Sequence, residues 1–188
     1  MARVQLGSNA FVYPMPVTLV GANVAGKPNF LAVAWINRVN FKPPIVAMGL
    51  GKGHHTNAGI LENKTFSVNV PGADLVDKTD YCGLVSGAKI DKAALFDVYY
   101  GKLETAPMIG DCPLAFECRL VNTVDLGADI LFLGEIVESY ADEKYLTDGK
   151  PDVAKMKPFV LTMPDNGYWL LGNHLAKAWQ VGKHLKKK

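Results

Sequence analysis

The chain has 188 residues, of which 49% are hydrophobic, and a formal net charge of +2. This size predicts a single domain over residues 1–188, with a core that needs neither a metal nor a disulfide, and the near-zero net charge excludes nucleic acid as the main partner. No two of the three cysteines have CxxC spacing, so the sequence predicts no disulfide framework. Polar residues at Arg3, Gln5 and Asn9 interrupt any signal peptide. No apolar run approaches the length of a membrane span, so we expect a cytoplasmic protein without a membrane partner.

The first half of the sequence predicts antiparallel β structure. Residues 16–22 and 29–41 are rich in β-branched and apolar residues, and a turn at residues 26–28 joins them into a hairpin. Pro43–Pro44 then breaks the chain before a third apolar run at residues 45–50. The pattern is therefore typical of short strands separated by tight turns.

A short helix and a further strand are predicted next. Residues 57–62 form the helix, with Thr56 as its N-cap, and residues 66–70 alternate strictly between apolar and polar, which indicates a half-buried strand. A second helix is predicted over residues 74–81. Many short strands and few helices favour an antiparallel barrel over an alternating βαβ fold.

The second half predicts a long hairpin and a helical C-terminus. Strands are expected at residues 114–120 and 130–137, followed by a short strand at residues 168–171. Residues 173–183 place Leu175, Ala178 and Trp179 on one helical face. The fold class is thus mainly β, an antiparallel split barrel with short helices and a C-terminal helix. The terminal lysines are expected to be solvated; they are Lys183, Lys186, Lys187 and Lys188.

The glycine-rich segment at residues 49–56 is the first candidate for binding chemistry. It is not a dinucleotide fingerprint, because His54 stands where the third small residue is needed. Glycines and Thr56 at a helix start can nevertheless hold a phosphate, and His54 and His55 can add donors. The alternative, in which Thr56 only caps the helix, stays open. Adjacent histidines on a strand point to opposite sides, so no metal site is expected.

Two other segments suggest ligand contacts. Ser86-Gly87, followed by Asp91-Lys92, combines a flexible loop with a cation and could hold a phosphate, although a solvent-exposed loop fits the same residues. Trp35, inside an apolar strand, is either a core residue or a flat wall for a planar ligand. Cys82 has no neighbouring base, so we expect a buried thiol and no catalytic nucleophile.

These segments occur in an order that resembles the flavin-reductase-like, FMN-binding split-barrel proteins, and most closely their flavoredoxin branch. The resemblance runs from about residue 11 to residue 182. The matching motifs are Tyr13-Pro14-Met15-Pro16-Val17, Asn29, Ala34-Trp35, Pro43-Pro44, His55-Thr56-Asn57, Phe66-Ser67-Val68-Asn69, Tyr81-Cys82-Gly83, Ser86-Gly87, Asp91-Lys92, Phe132-Leu133-Gly134-Glu135-Ile136 and Tyr168-Trp169-Leu170-Leu171-Gly172.

The resemblance implies a homodimer with FMN near the subunit interface. It places Asn29 and Thr56 at the phosphate or ribityl chain and adds the charge of Lys92 at the phosphate. It also assigns three further residues to the cofactor site, which are His55, Ser86 and Gly87. The strand Ala34-Trp35-Ile36-Asn37 would line the isoalloxazine and give backbone hydrogen bonds to its polar edge, and Asn69 would lie near the flavin.

The implied activity is electron transfer through bound FMN. NAD(P)H is the expected donor, and free flavin, a metal or a redox-protein partner is the acceptor. Whether the chain is an NAD(P)H-dependent flavin oxidoreductase or a pure electron carrier stays open, as does a split barrel that binds haem or a pyridoxal-type phosphate. One position departs from the family pattern: relatives often carry a His where this chain has Asp129, which leaves redox tuning and donor choice undecided.

Overall fold

The computed structural model describes residues 2–186. Its strands are β1 (Met15–Pro16), β2 (Thr18–Val24), β3 (Lys27–Val33), β4 (Ile36–Asn40), β5 (Ile45–Gly51), β6 (Thr65–Val70), β7 (Val98–Tyr99), β8 (Met108–Ile109), β9 (Leu114–Asp125), β10 (Asp129–Ala141), β11 (Leu146–Thr147), β12 (Lys150–Pro151), β13 (Phe159–Thr162) and β14 (Gly167–Leu170). The helices are α1 (Thr56–Asn63), α2 (Val76–Leu84) and α3 (Val153–Met156), with short 3-10 turns at Ala73–Leu75, Ala93–Leu95, Glu143–Tyr145 and Val181–Leu185. No helix within this range is both long and apolar enough to cross a bilayer.

A seven-stranded antiparallel sheet forms the body of the fold. Its strand order is β3-β2-β6-β9-β10-β5-β4, so β3 and β4 are its two edges. These edge strands are consecutive in the chain and are joined only by Ala34 and Trp35. The sheet therefore curls until its edges meet at this junction, while along the rest of their length they stay apart. This is the predicted split barrel, with an opening along β3.

Alternating side chains of the sheet face two separate cores. On β2, Val20 belongs to the cluster inside the barrel, which also holds Phe66 and Phe132, whereas its neighbour Leu19 belongs to an outer cluster. The outer cluster contains Phe30 and Cys82, and α2 packs against β3 there. Because successive strand residues point to opposite faces, both sides of β2 and β3 can be buried at once.

The turn of the first hairpin lies at residues 25–26, so it begins one residue and ends two residues earlier than predicted. Ala25 and Gly26 both have positive φ, which is the conformation of a two-residue hairpin loop, and Val24 pairs with Lys27. Lys27 and Pro28 therefore lie in β3 rather than in the turn. Pro28 is tolerated because β3 is an edge strand.

Two helix predictions need correction in detail. Helix α1 begins at Thr56, but the N-cap residue is His55, and no side chain caps this terminus. Thr56 is not the cap because its hydroxyl accepts a hydrogen bond from Asn29 instead. Helix α2 begins at Val76, after a 3-10 turn, and continues to Leu84, beyond the predicted end at residue 81.

The prediction of a C-terminal helix over residues 173–183 is wrong. This segment is irregular and ends in the short 3-10 turn Val181–Leu185. Leu175 and Trp179, the expected buried face, are 97% and 94% exposed. An isolated helix of this length is only marginally stable unless it packs against the rest of the protein. Within residues 2–186, Leu175 and Trp179 have no such packing. Of the terminal lysines, Lys187 and Lys188 lie outside the described residues.

Gly134 on β10 is a position where the barrel core tolerates no side chain. A Cβ there would lie 2.5 Å from Phe66 Cε1, closer still to Cζ, and 3.3 Å from Cys118 Cβ. Phe66 is fully buried and cannot retreat. Gly134→Ala should therefore lower the free energy of unfolding by about 1–3 kcal/mol, measured by urea denaturation. Gly172→Ala is the control, since nothing lies within 4 Å of that position. Equal stability of the two variants would contradict this packing.

Candidate functional site

A continuous groove follows the outer edge of β3. Its first part, the Trp35 pocket, has a volume of about 300 Å³ and lies between residues 31–35 and residues 49–51. The second part, the central pocket, has about 230 Å³ and lies between residues 53–56 and 83–87. Leu31 lines both cavities, so the two pockets adjoin.

The groove continues past the central pocket to the β2–β3 turn. This third part, the hairpin pocket, has a volume of about 430 Å³ and lies between residues 24–29 and residues 87–92. His55, Gly87 and Lys92 line both the central and the hairpin pockets. All three cavities are therefore parts of one groove in the opening of the barrel.

Trp35 forms a flat wall at one end of this groove. Its side chain is 49% exposed, which decides against a core tryptophan. The indole lies beside Gly49 of β5, where an added Cβ would be 3.8 Å from Trp35 Cε3. The backbone N–H of Gly49 donates to the carbonyl of Trp35 at 2.9 Å, which fixes the strand junction. The wall is thus held by β5 and open to a planar ligand.

The floor of the groove is the free edge of β3. This strand has a strand neighbour, β2, on one side only, so part of its backbone hydrogen-bonding capacity faces outward. Leu31, Ala32, Val33 and Ala34 line the Trp35 pocket. The predicted strand residues Ala34 and Trp35 therefore lie at the site.

A buried polar pair links β3 to α1 at the other end. Asn29 Nδ2 donates to Thr56 Oγ1 at 2.7 Å, and both residues are buried. A Cβ at Gly87 would lie 2.7 Å from Asn29 Cγ, so only glycine lets this loop approach the pair so closely. Neighbouring Ser86 lines the central pocket and accepts a hydrogen bond from Ala88 N at 3.3 Å.

Lys92 brings a buried positive charge to the same place. The residue is only 2% exposed, and its Nζ donates to the carbonyls of Cys82 at 2.9 Å and Val85 at 3.2 Å. These carbonyls lie at the C-terminal end of α2, where a cation is favourable. An ammonium has three N–H donors, so one remains for the pocket. Burial lowers the pKa of Lys92.

His54 and Asp129 meet beside the Trp35 pocket. A Cβ at Gly51 would lie 3.4 Å from His54 Nε2 and 3.6 Å from Asp129 Oδ1, so both side chains converge on that glycine. His54 also lines the central pocket, whereas His55 lines the central and hairpin pockets. Partial enclosure by the groove lowers the pKa of His54, as does the charge of Lys92, while Asp129 opposes both effects.

Three of the predicted site residues lie outside the groove. Ile36 and Asn37 line a separate apolar cavity of about 210 Å³, because the chain has already crossed the junction into β4. Asn69 is fully buried in the core: its Nδ2 donates to the Leu19 carbonyl at 2.9 Å, and its Oδ1 accepts from Ile109 N at 2.9 Å. These hydrogen bonds link Asn69 on β6 to β2 and β8.

Several groove residues were not predicted. The sequence gives His54 only as a donor to a phosphate and Asp129 only as a departure from the family pattern, and Leu31, Ala32 and Gly49 carry no chemical motif. Leu31 and Ala32 lie on β3, Gly49 on β5 and Asp129 at the start of β10, and only the fold brings them and His54 together.

Other reactive groups do not form a site. Cys82 is fully buried, and burial raises the pKa of its thiol to about 11, which is far from that of an activated nucleophile. Across residues 2–186, no group of three or more His, Cys, Asp and Glu side chains is placed to hold a metal.

Comparison with known proteins identifies the family of this chain. Residues 10–154 match the flavin reductase like domain. A solved flavoredoxin from Methanosarcina acetivorans is 52% identical, with a TM-score of 0.97 over 99% of this chain and 100% of that one. The flavoredoxin of Desulfovibrio vulgaris (Miyazaki F) is 33% identical, with a TM-score of 0.91 over 97% and 100% of the two chains. The FMN reductase (NADH) RutF of Bradyrhizobium diazoefficiens is 31% identical over 57% of this chain and 59% of its own length. The chain therefore belongs to the flavin reductase-like family, and its split barrel is that of the flavoredoxins.

Proposed function

We propose that this protein binds FMN in the groove along β3, accepts electrons on it from NAD(P)H and passes them to free flavin, a metal or a redox protein. The observation that carries this proposal is the composition of one continuous groove, with the flat wall of Trp35 at one end and the buried Asn29, Thr56 and Lys92 at the other. The names of the flavoredoxin and FMN reductase relatives support the same ligand.

The residues present fit the three parts of FMN. Trp35 follows Asn29 by six positions along β3 and its junction, and an extended strand of that length spans about 20 Å, which is long enough for a ring system, a ribityl chain and a phosphate in line. A planar apolar slot with a few polar contacts suits the ring system. The close approach of Gly87 to Asn29 leaves a backbone cradle suited to an anion.

In this binding mode, the two ends of the groove contact different parts of FMN. Trp35 and the outward backbone groups of β3 orient the ring and bond its polar edge. Lys92 donates its remaining N–H to the phosphate, Asn29 and Thr56 hold the ribityl or phosphate oxygens, and Ser86 and His55 complete the cradle. When bound, FMN supplies the electron chemistry, so the protein needs no nucleophile or metal of its own.

The identity of the cofactor and of its donor can be tested together by absorption spectroscopy. Purified protein reconstituted with FMN should show a bound-flavin spectrum, and anaerobic NADH or NADPH should bleach it. A bound flavin that only a redox protein can reduce would instead assign the electron-carrier function. No uptake of FMN, with uptake of haem or pyridoxal phosphate, would overturn the proposal.

The phosphate assignment can be tested at Lys92. Lys92→Met removes the charge and keeps much of the volume, so FMN affinity should fall by about tenfold or more, the effect of one charge-assisted hydrogen bond. Riboflavin, which has no phosphate, is the matched control ligand and should bind wild type and variant alike. Fluorescence titration of both flavins gives the comparison. An equal loss of affinity for FMN and for riboflavin would mean that Lys92 stabilises the fold and does not bind the phosphate.

We also propose that the protein is a homodimer. Large apolar side chains are exposed on the C-terminal segment, and Leu175 and Trp179 have almost no cover from the chain itself. Exposed apolar patches of this kind mark protein contacts.

Light scattering should therefore give twice the mass of one chain. The double variant Leu175→Ser with Trp179→Ser should shift the protein toward the monomer, because the apolar contact surface is lost. Val153→Ser, at a residue that is 54% exposed on α3, is the control. A wild-type monomer, or a double variant as dimeric as the wild type, would exclude this role for the C-terminal segment.

A further inference from the structure

We propose that His54, set beside Asp129 at the Trp35 pocket, binds a proton when a flavin held in that pocket is reduced. The inference rests on the proposed function and goes beyond it, because it assigns a charge-compensating residue to the ring end of the groove. Neither the comparisons nor the motifs of the sequence give His54 this role.

The position of His54 is the first support. It is the titratable group common to the Trp35 pocket and the central pocket, so it faces the ring end of the groove and the start of the cradle. Its side chain is exposed on the outer side, where solvent can supply the proton. Within the described part of the chain, neither ring nitrogen of His54 has a hydrogen-bond partner, and only its backbone is bonded, to Gly51 and Asn57.

The charges around His54 are the second support. Lys92 approaches from the loop after α2 and disfavours the imidazolium, while Asp129 approaches from β10 and favours it. Nearby, His55 follows on the same turn, and the charges of Lys52 and Asp125 are paired with each other at 2.8 Å. Because enclosure and Lys92 outweigh Asp129, the pKa of His54 lies below its ordinary value of 6.5 and the ring is neutral at pH 7.

Reduction changes this balance. A flavin held in this pocket would take up two electrons and one proton, either as hydride from NAD(P)H or as electrons from dithionite with a proton from solvent, and would then carry one added negative charge at neutral pH. A negative charge next to an imidazole favours its protonated form and raises its pKa. A solvent proton would then form an N–H bond at a ring nitrogen of His54. The positive charge of the imidazolium would offset the negative charge on the reduced ring system.

The sign of the pH dependence follows from linkage. If the pKa of His54 is higher in the reduced than in the oxidised protein, protonation of His54 raises the midpoint potential of the flavin. This increase is complete at pH values below the lower pKa, and it is lost as the pH rises through the higher pKa. Between the two pKa values, the midpoint potential should fall with pH more steeply than it would without His54. The difference is about 30 mV per pH unit, the value for one extra proton in a two-electron couple.

The experiment measures the pKa of His54 by NMR in FMN-loaded protein with ¹³C-labelled histidine, first oxidised and then reduced with dithionite. His54→Gln assigns the signal, since it removes one of four histidines. The pKa should rise on reduction. Potentiometry between about pH 5 and pH 8, the range in which histidine titrates, should show the steeper slope in wild type and its loss in His54→Gln. His174→Gln, outside the groove, should keep it.

A variant of Asp129 tests the effect of its charge on His54. Asp129→Asn removes the charge that favours the imidazolium, so the pKa of His54 should fall in both redox states. A His54 pKa that is the same in oxidised and reduced protein overturns the inference while leaving FMN binding intact. Failure to take up FMN at all overturns the proposed function, and this inference with it, so the two failures are distinguishable.

Discussion

The junction at Ala34 and Trp35 is the constraint on which the site depends. At this point one edge strand of the sheet becomes the other, and the hydrogen bond from Gly49 N to the Trp35 carbonyl, at 2.9 Å, holds the turn against β5. If the chain continued straight, β4 could not pair with β5 and the sheet would stay open. Because the two edges are fastened only here, they separate along β3 and leave a groove instead of a closed barrel. The same bond presents the indole of Trp35 at the mouth of that groove.

The opposite end of the groove is held by polar groups that are buried before any ligand arrives. Asn29 bonds Thr56 across two elements, and Lys92 bonds the carbonyls at the end of α2. A buried polar group without a partner is costly, so these bonds stabilise the positions of β3, α1 and the loop after α2 relative to one another. In the proposed binding mode, a phosphate would meet groups that are already in place, which reduces the ordering entropy lost on binding.

Much of the fold was predictable because local patterns agree with the tertiary structure. The long apolar run near Gly134 corresponds to β10. Residues 66–70 form the predicted strand β6, but this strand is not half-buried, because Ser67 and Asn69 are buried on its polar face. The C-terminal helix and the Thr56 cap are wrong predictions, and both errors have physical causes. Leu175 and Trp179 form a helical stripe in sequence, yet nothing in the described chain buries it, and propensity alone does not hold such a helix. Thr56 has the composition of a cap, but a partner 27 residues away takes its hydroxyl. Ile36 and Asn37 follow Trp35 in sequence, but the junction turns them away from the groove. His54 and Asp129 are 75 positions apart and meet only because β10 pairs with β5.

The two ends of the groove differ in the kind of charge they carry. At the cradle, Lys92 is buried, and its ammonium is held in place by two carbonyls. Beside Trp35, the charge is titratable and exposed, since His54 lies between the opposing effects of Lys92 and Asp129. A fixed charge suits a phosphate, whose charge does not change in a redox cycle. A titratable charge suits a ring system whose charge does change. In the proposed binding mode, a substitution of Asn29 or Thr56 would act on retention of the cofactor, and a substitution beside Trp35 would act on its potential. Lys92 links the two ends, because its charge also lowers the pKa of His54.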